Sequence, residues 1–174
     1  WTGPRKYKLG GMDASKLEVR MVANYMNDED YINESINGDI HTAKQKLAGL
    51  KSRSQAKTFI YALIYGAGNA KLGSVAGGGK QAGTKLREQF IDNLPSFKAL
   101  TDRVERASGK GYLKGLDGRK LYVRTRHAAL NTLLQGAGAI VMKQGLILFD
   151  RMIRGNNLDA SFVCRSEEHT SELQ

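Results

Sequence analysis

Apolar and polar positions between Arg53 and Tyr65 recur with a helical period. Ala56, Ile60, Leu63 and Ile64 sit on azimuths that can face a core, while Arg53, Lys57, Tyr61 and Tyr65 recur at steps of four. A step of four returns to nearly the same azimuth, drifting about 40° each time. The pattern predicts a helix from Ser52 or Arg53 to Tyr65, stopped by Gly66-Ala67-Gly68. One face of it then carries two cations followed by two phenols. Such a stripe suits a ligand with a polyanionic tail and a flat head, and a nucleoside triphosphate is one.

The same reading covers the rest of the chain. Leu9 to Asp13 reads as a short strand ending on a carboxylate. Ser15 opens a helical pattern through Leu17, Val19, Val22, Ala23 and Met26, with Ser15 and Glu18 at capping-box spacing. Residues 27–38 are polar and turn-rich, with room for a short helix, and a small helix is expected over 42–50. Asn69 to Gly79 is glycine-rich and reads as a short helix plus loop. An amphipathic helix follows over 81–93, separated by Pro95 from a second one over 96–107. Residues 111–123 read as a β-hairpin with its turn at Asp117-Gly118. Ala128 to Ile153 is a long, largely apolar helix ended by Asn156-Asn157, and Leu158 to Cys164 begins another strand. There is no internal repeat.

Charge narrows the partners. The chain has 174 residues and a formal net charge of +10, which points to a polyanionic partner: nucleic acid, nucleotides or an acidic membrane. No uninterrupted apolar run approaches the ~20 residues that cross a bilayer, and residues 1–11 lack the apolar region of a signal peptide, so no membrane partner is expected. The single cysteine, Cys164, excludes an internal disulfide and fits a reducing compartment. The three histidines are scattered, without zinc-ligand spacing. Lys80 follows three glycines, but Gln81 behind it and Ser74 ahead of it break the P-loop pattern. Residues 165–174 lack periodicity and carry net −2, one Arg against three Glu. They resemble a translated sequencing adapter and are left out of the fold expectation. A first residue other than Met suggests a fragment.

Three blocks then carry a family resemblance. They are Asp13-Ala14-Ser15-Lys16-Leu17-Glu18-Val19-Arg20, the run Arg53 to Gly66, and Gly115-Leu116-Asp117-Gly118-Arg119-Lys120 with His127 to Gln135 behind it. In this order the chain resembles a family A DNA polymerase, closest to the replicative polymerases of podovirus-type phages, over residues 9–164. The resemblance implies an α+β fold: a mainly helical fingers subdomain (41–110) inserted in an incomplete antiparallel palm sheet (1–40 and 111–164), with 165–174 an artefactual tail. It implies template-directed DNA synthesis in phage genome replication, in the cytoplasm of an infected bacterial host, on primer–template DNA with dNTP substrates. A processivity factor for the complete enzyme stays open.

The resemblance also implies residue roles. Asp13 would bridge two Mg2+ ions, helped by the Ala14 carbonyl. Glu18 would pair with Tyr61 and exclude a ribose 2′-hydroxyl. Arg53 and Lys57 would hold the triphosphate, Lys57 also protonating the leaving pyrophosphate. His41 would approach the phosphates, and Tyr65 with Gly66 would lie near the templating base. Asn131 and Gln135 would probe minor-groove acceptors. Arg119, Lys120, Arg124, Arg126 and His127 would meet the DNA. Lys16 stands where relatives often carry glycine or glutamine.

The residues alone admit plainer readings. Asp13 and Glu18 could be helix caps, the stripe a solvated basic face, and Asn131 and Gln135 a polar pair in a helix seam. The family's second metal-binding motif, His-Asp-Glu, is not found after the last predicted strand. The expectation is therefore an inactive fragment of an active parent. Two rivals stay open: a non-catalytic basic nucleic-acid-binding module, and a fragment of a single-subunit phage-type RNA polymerase.

Overall fold

Ser52 begins the helix that organises the molecule. Its hydroxyl accepts from the Gln55 backbone N–H at 3.2 Å, an N-cap bond. The computed structural model describes residues 8, 10, 11, 13–37 and 50–162. In chain order it contains α1 (Leu17–Met26), α2 (Glu29–Asn37), α3 (Arg53–Ile64), α4 (Asn69–Val75), α5 (Lys80–Asp92) and α6 (Pro95–Ser108). The hairpin strands β1 (Tyr112–Lys114) and β2 (Lys120–Tyr122), a 3-10 turn (Arg126–Ala128) and α7 (Ala129–Gly155) follow. The fold is α+β, dominated by helices. The helix expected over 42–50 lies almost entirely outside the described residues.

The apolar faces meet in one core. Val19 and Val22 from α1, Phe59 and Ile64 from α3, Leu72 from α4 and Leu134 from α7 are among its most buried members. Phe90 of α5 stands edge-on between Phe59 and Phe97, with ring centroids 5.7 and 5.5 Å away. Edge-to-face geometry places the positive rim of one ring against the negative face of the next. Helix α1 packs on α2, α6 and α7, while α4 bridges α3 and α5. Polar ties hold the same joints. Arg103 donates to the Tyr25 carbonyl at 2.8 Å, and Ser96 donates to Asp28 at 2.7 Å. Asp28 also accepts from the Tyr31 N–H, and these bonds, Ser96 first, hold its carboxyl below the usual carboxylate range.

Helices α4 and α5 approach each other backbone to backbone. A β-carbon at Gly83 would fall 2.6 Å from the Gly73 nitrogen and closer still to the Asn69 carbonyl oxygen. Asn69 Nδ2 donates to Thr84 Oγ1 at 2.9 Å across the same crossing. The hairpin register pairs Tyr112 with Tyr122, Leu113 with Leu121 and Lys114 with Lys120. Leu113 is buried and Leu121 lies over Gly136 of α7, so the leucines form the inner face.

Four expectations change. No capping box forms: α1 starts at Leu17, its N-cap is Lys16, and no side chain caps it. The Glu18 carboxylate is turned toward Tyr65 instead of back toward Ser15. Residues 10, 11 and 13 are not in a strand, and neither are residues 158–162. With no third strand among the described residues, the sheet is the hairpin alone. Finally, the helix over Arg126–Gly155 is by length and composition apolar enough to cross a membrane. Counting uninterrupted runs misses this because Asn131, Gln135, Lys143 and Gln144 break them. Here its first turns bury Ala129, Leu133, Leu134, Ala137 and Gly138 against the protein.

Lys16 has φ 56° and ψ 34°, the left-handed region. A side chain with a β-carbon pays roughly 1–2 kcal/mol there, and glycine does not. Lys16→Gly gives back part of this through its freer unfolded chain. The expected net gain is about 0.5–1 kcal/mol, read as a Tm higher by roughly 1–4 °C in thermal unfolding followed by circular dichroism. A lower Tm would mean that the lysine side chain contributes more than its backbone costs.

Candidate functional site

The stripe on α3 forms as its spacing requires. Arg53 and Lys57 are exposed, whereas Tyr61 and Tyr65 are half-buried. Tyr65 is the residue that closes the helix, and its ring stacks on that of Tyr61 at 6.4 Å and 22°. Behind them Ala56, Phe59, Ile60, Ala62, Leu63 and Ile64 are buried, which fixes the rotation of the helix.

A chain of hydrogen bonds joins this stripe to the other two sequence blocks. Tyr65 Oη donates to Glu18 Oε1 at 3.3 Å. Gln135 Nε2 donates to the same phenol oxygen at 3.4 Å. Glu18 is only 7% exposed, buried beside the Tyr65 hydroxyl at the end of α3. The phenol that donates to Glu18 Oε1 is therefore Tyr65, one turn beyond the expected Tyr61. Tyr61 still feels that carboxylate: burial first, then the Glu18 charge, pushes its pKa up. Burial and then Glu18 push the Tyr65 phenol up to about 12. Both phenols keep their protons at neutral pH, and Tyr65 uses its own as a donor to Glu18.

Gly66 locks the end of α3 onto the 3-10 turn at His127. Its φ is +75°, and a β-carbon there would collide with the His127 carbonyl oxygen. Arg87 of α5 reaches the next residue, donating to the Ala67 carbonyl at 2.6 Å. The glycine was legible in sequence as a helix stop. The arginine carries no local signal, since its partner is twenty residues away.

Other predicted site residues are placed as follows. Asp13 is exposed and Ala14 half-buried, just ahead of α1. His127 is exposed in the 3-10 turn. Asn131 lies one turn before Gln135 on α7, and its Oδ1 is buried with no partner among the described residues. Arg119 is held by Asp117 at 2.6 Å, and the Lys120 ammonium lies 4.8 Å from the Tyr112 ring centre. His41 falls outside the described residues. Among the described residues no three His, Cys, Asp or Glu side chains come together as a metal site. Asp13 and Ala14 offer hard oxygen donors of the kind Mg2+ takes, but too few for two ions.

The model of DNA polymerase family A matches residues 2–165 of this sequence. The chain belongs to DNA polymerase family A. Among family A members, the DNA-directed DNA polymerase of Escherichia phage T7 is 42% identical over 161 residues, which is 82% of this chain and 23% of that protein. The phage T3 protein of the same name gives the same figures. The DNA polymerase I of Aquifex aeolicus is 33% identical over 87% of this chain and 29% of its own length. The chain thus spans about a quarter of the curated relatives it matches. A solved structure described as the POL domain of Pol1 from M. smegmatis in complex with DNA primer-template and dNTP shares the fold. Its TM-score is 0.72 at 23% identity, covering 83% of this chain and 30% of that one.

Proposed function

We propose that this chain is the part of a phage replicative DNA polymerase that grips the incoming dNTP and inspects the new base pair. The parent would join dNTPs to a primer 3′-hydroxyl on a DNA template, in the cytoplasm of an infected bacterium. One observation carries the reading. Glu18, Tyr65 and Gln135, from three separate sequence blocks, meet through one phenol. A basic binding module needs a charged surface only and gives no reason for a buried carboxylate at the foot of that surface.

The residues divide the work by chemistry. Arg53 and Lys57 are exposed cations on the face that leads to the stacked tyrosines, so a triphosphate laid along them puts its base end near Tyr61 and Tyr65. Arg53 offers a planar fork and Lys57 a compact charge able to give a proton. The buried Glu18 fixes the floor beneath the sugar, where an added hydroxyl would meet a carboxylate. Asn131, whose acceptor has no partner among the described residues, and Gln135 carry amides one turn apart on α7. In this reading residues 1–40 and 111–164 are palm, 41–110 are fingers, and 165–174 are foreign to the fold. Mg2+ would neutralise phosphate charge in the complete enzyme. Its ligands need to extend beyond Asp13 and Ala14.

Lys57→Ala is expected to weaken dNTP binding by about 10- to 100-fold, because it removes a charge-assisted contact to phosphate. Lys80→Ala, on a different helix, should leave it unchanged. Titration of a fluorescent dNTP into the chain reads both. Equal loss in the two variants would favour diffuse charge attraction and the basic-module alternative.

A further inference from the structure

The hairpin presents a second face that the nucleotide site does not use. With Leu113 and Leu121 turned inward, Tyr112, Lys114, Lys120 and Tyr122 share the outer face. Tyr122 is 77% exposed, the most open of the large hydrophobic side chains described. An isolated apolar ring in water is unremarkable, but this one stands in a dense cationic field. Between Lys110 and Arg126 there are six basic residues (Lys110, Lys114, Arg119, Lys120, Arg124, Arg126) and one acid, Asp117. That acid is already neutralised by Arg119. Lys120 lies over the Tyr112 ring, so one cation–π pair is formed in advance. The inner leucines seat on α7, where Leu121 covers Gly136 one residue beyond Gln135. The outer face is therefore rigidly tied to the helix that carries the proposed base-pair probes.

We infer that the outer face of this hairpin binds single-stranded DNA, with an unpaired base stacking on Tyr122 and the flanking phosphates held by Lys114, Lys120 and Arg124. Two features select this occupant. The positive field with no free acid calls for a polyanion. The exposed ring calls for a free aromatic face, which an unpaired base offers and a stacked duplex base does not. Sequence would matter little, since every base has such a face. The inference rests on the polymerase reading and deepens it: the strand bound is the template that has not yet been copied.

Fluorescence anisotropy of the 174-residue chain with a labelled oligothymidylate, a blunt duplex and a primer–template with a long 5′ overhang tests it. Tyr122→Ala should weaken binding of the oligothymidylate and the overhang by about fivefold or more, and leave the blunt duplex unchanged. Tyr122→Phe should keep parental binding. The salt dependence should stay parallel in Tyr122→Ala and become shallower, by about 0.7 in log–log slope, in Lys120→Ala. Circular dichroism checks that each variant keeps its helices. Parental overhang binding by Tyr122→Ala would overturn the inference. If that happens while Lys57→Ala still loses dNTP, only this inference falls. If Lys57→Ala also binds dNTP normally, the polymerase reading falls with it.

Discussion

Given a primer–template, the four dNTPs and Mg2+, the purified 174-residue chain is expected to extend the primer at least a thousandfold more slowly than the phage T7 enzyme. Two divalent ions side by side need several carboxylate oxygens, and their stabilisation of developing phosphate charge is worth several kcal/mol. Losing about 4 kcal/mol slows a step by roughly a thousandfold. The motif match supplies Asp13, with the Ala14 carbonyl as a helper. The other carboxylates near the joints are committed elsewhere. Glu18 accepts from Tyr65, Asp28 from Ser96 and Tyr31, and Asp117 from Arg119. Among the described residues nothing gathers around Asp13 to complete a metal cluster. Nucleotide and DNA binding should survive this deficit if, as proposed, they use Arg53, Lys57 and the hairpin cations. A gel of extended primer at a rate near that of the relative would show that the carboxylate count is wrong.

Much of this was legible in the chain because it depends on local period. The α3 stripe, the Pro95 break and the hairpin turn each follow from residues within a few positions of one another. The site blocks were legible through resemblance, and the structure brings three of them to one phenol. Long-range competition was not legible. Ser15 and Glu18 have ideal capping-box spacing, yet a phenol forty-seven residues away takes the carboxylate. Lys16 is a poor left-handed residue by propensity, and only the packed start of α1 explains why it is held there. The strand expected over Leu9 to Asp13 shows the same limit. A strand needs a partner, and a short apolar run cannot declare one.

Gly83→Ala is expected to destabilise the chain by about 3 kcal/mol or more, and so to lower Tm by roughly 6–12 °C. A methyl group is usually welcome in a helix, where alanine exceeds glycine by about 0.5–1 kcal/mol. At this crossing the sign reverses. The added carbon would meet the Gly73 nitrogen at 2.6 Å and overlap the Asn69 carbonyl oxygen. Both obstacles are backbone, so no side chain can swing aside. Helix α5 must instead back away from α4. That movement would strain the Asn69–Thr84 hydrogen bond and pull Arg87 from the Ala67 carbonyl, the bond that holds the turn behind Tyr65. Gly145→Ala makes the matched comparison. It too lies within a helix, α7, but nothing stands within 4 Å of the new carbon. Its Tm should rise, so the same chemical change should move stability in opposite directions at the two sites. Differential scanning calorimetry of both variants decides it. A neutral Gly83→Ala would mean that the two helices are not in backbone contact, and that Arg87 holds the turn behind Tyr65 without support from the crossing.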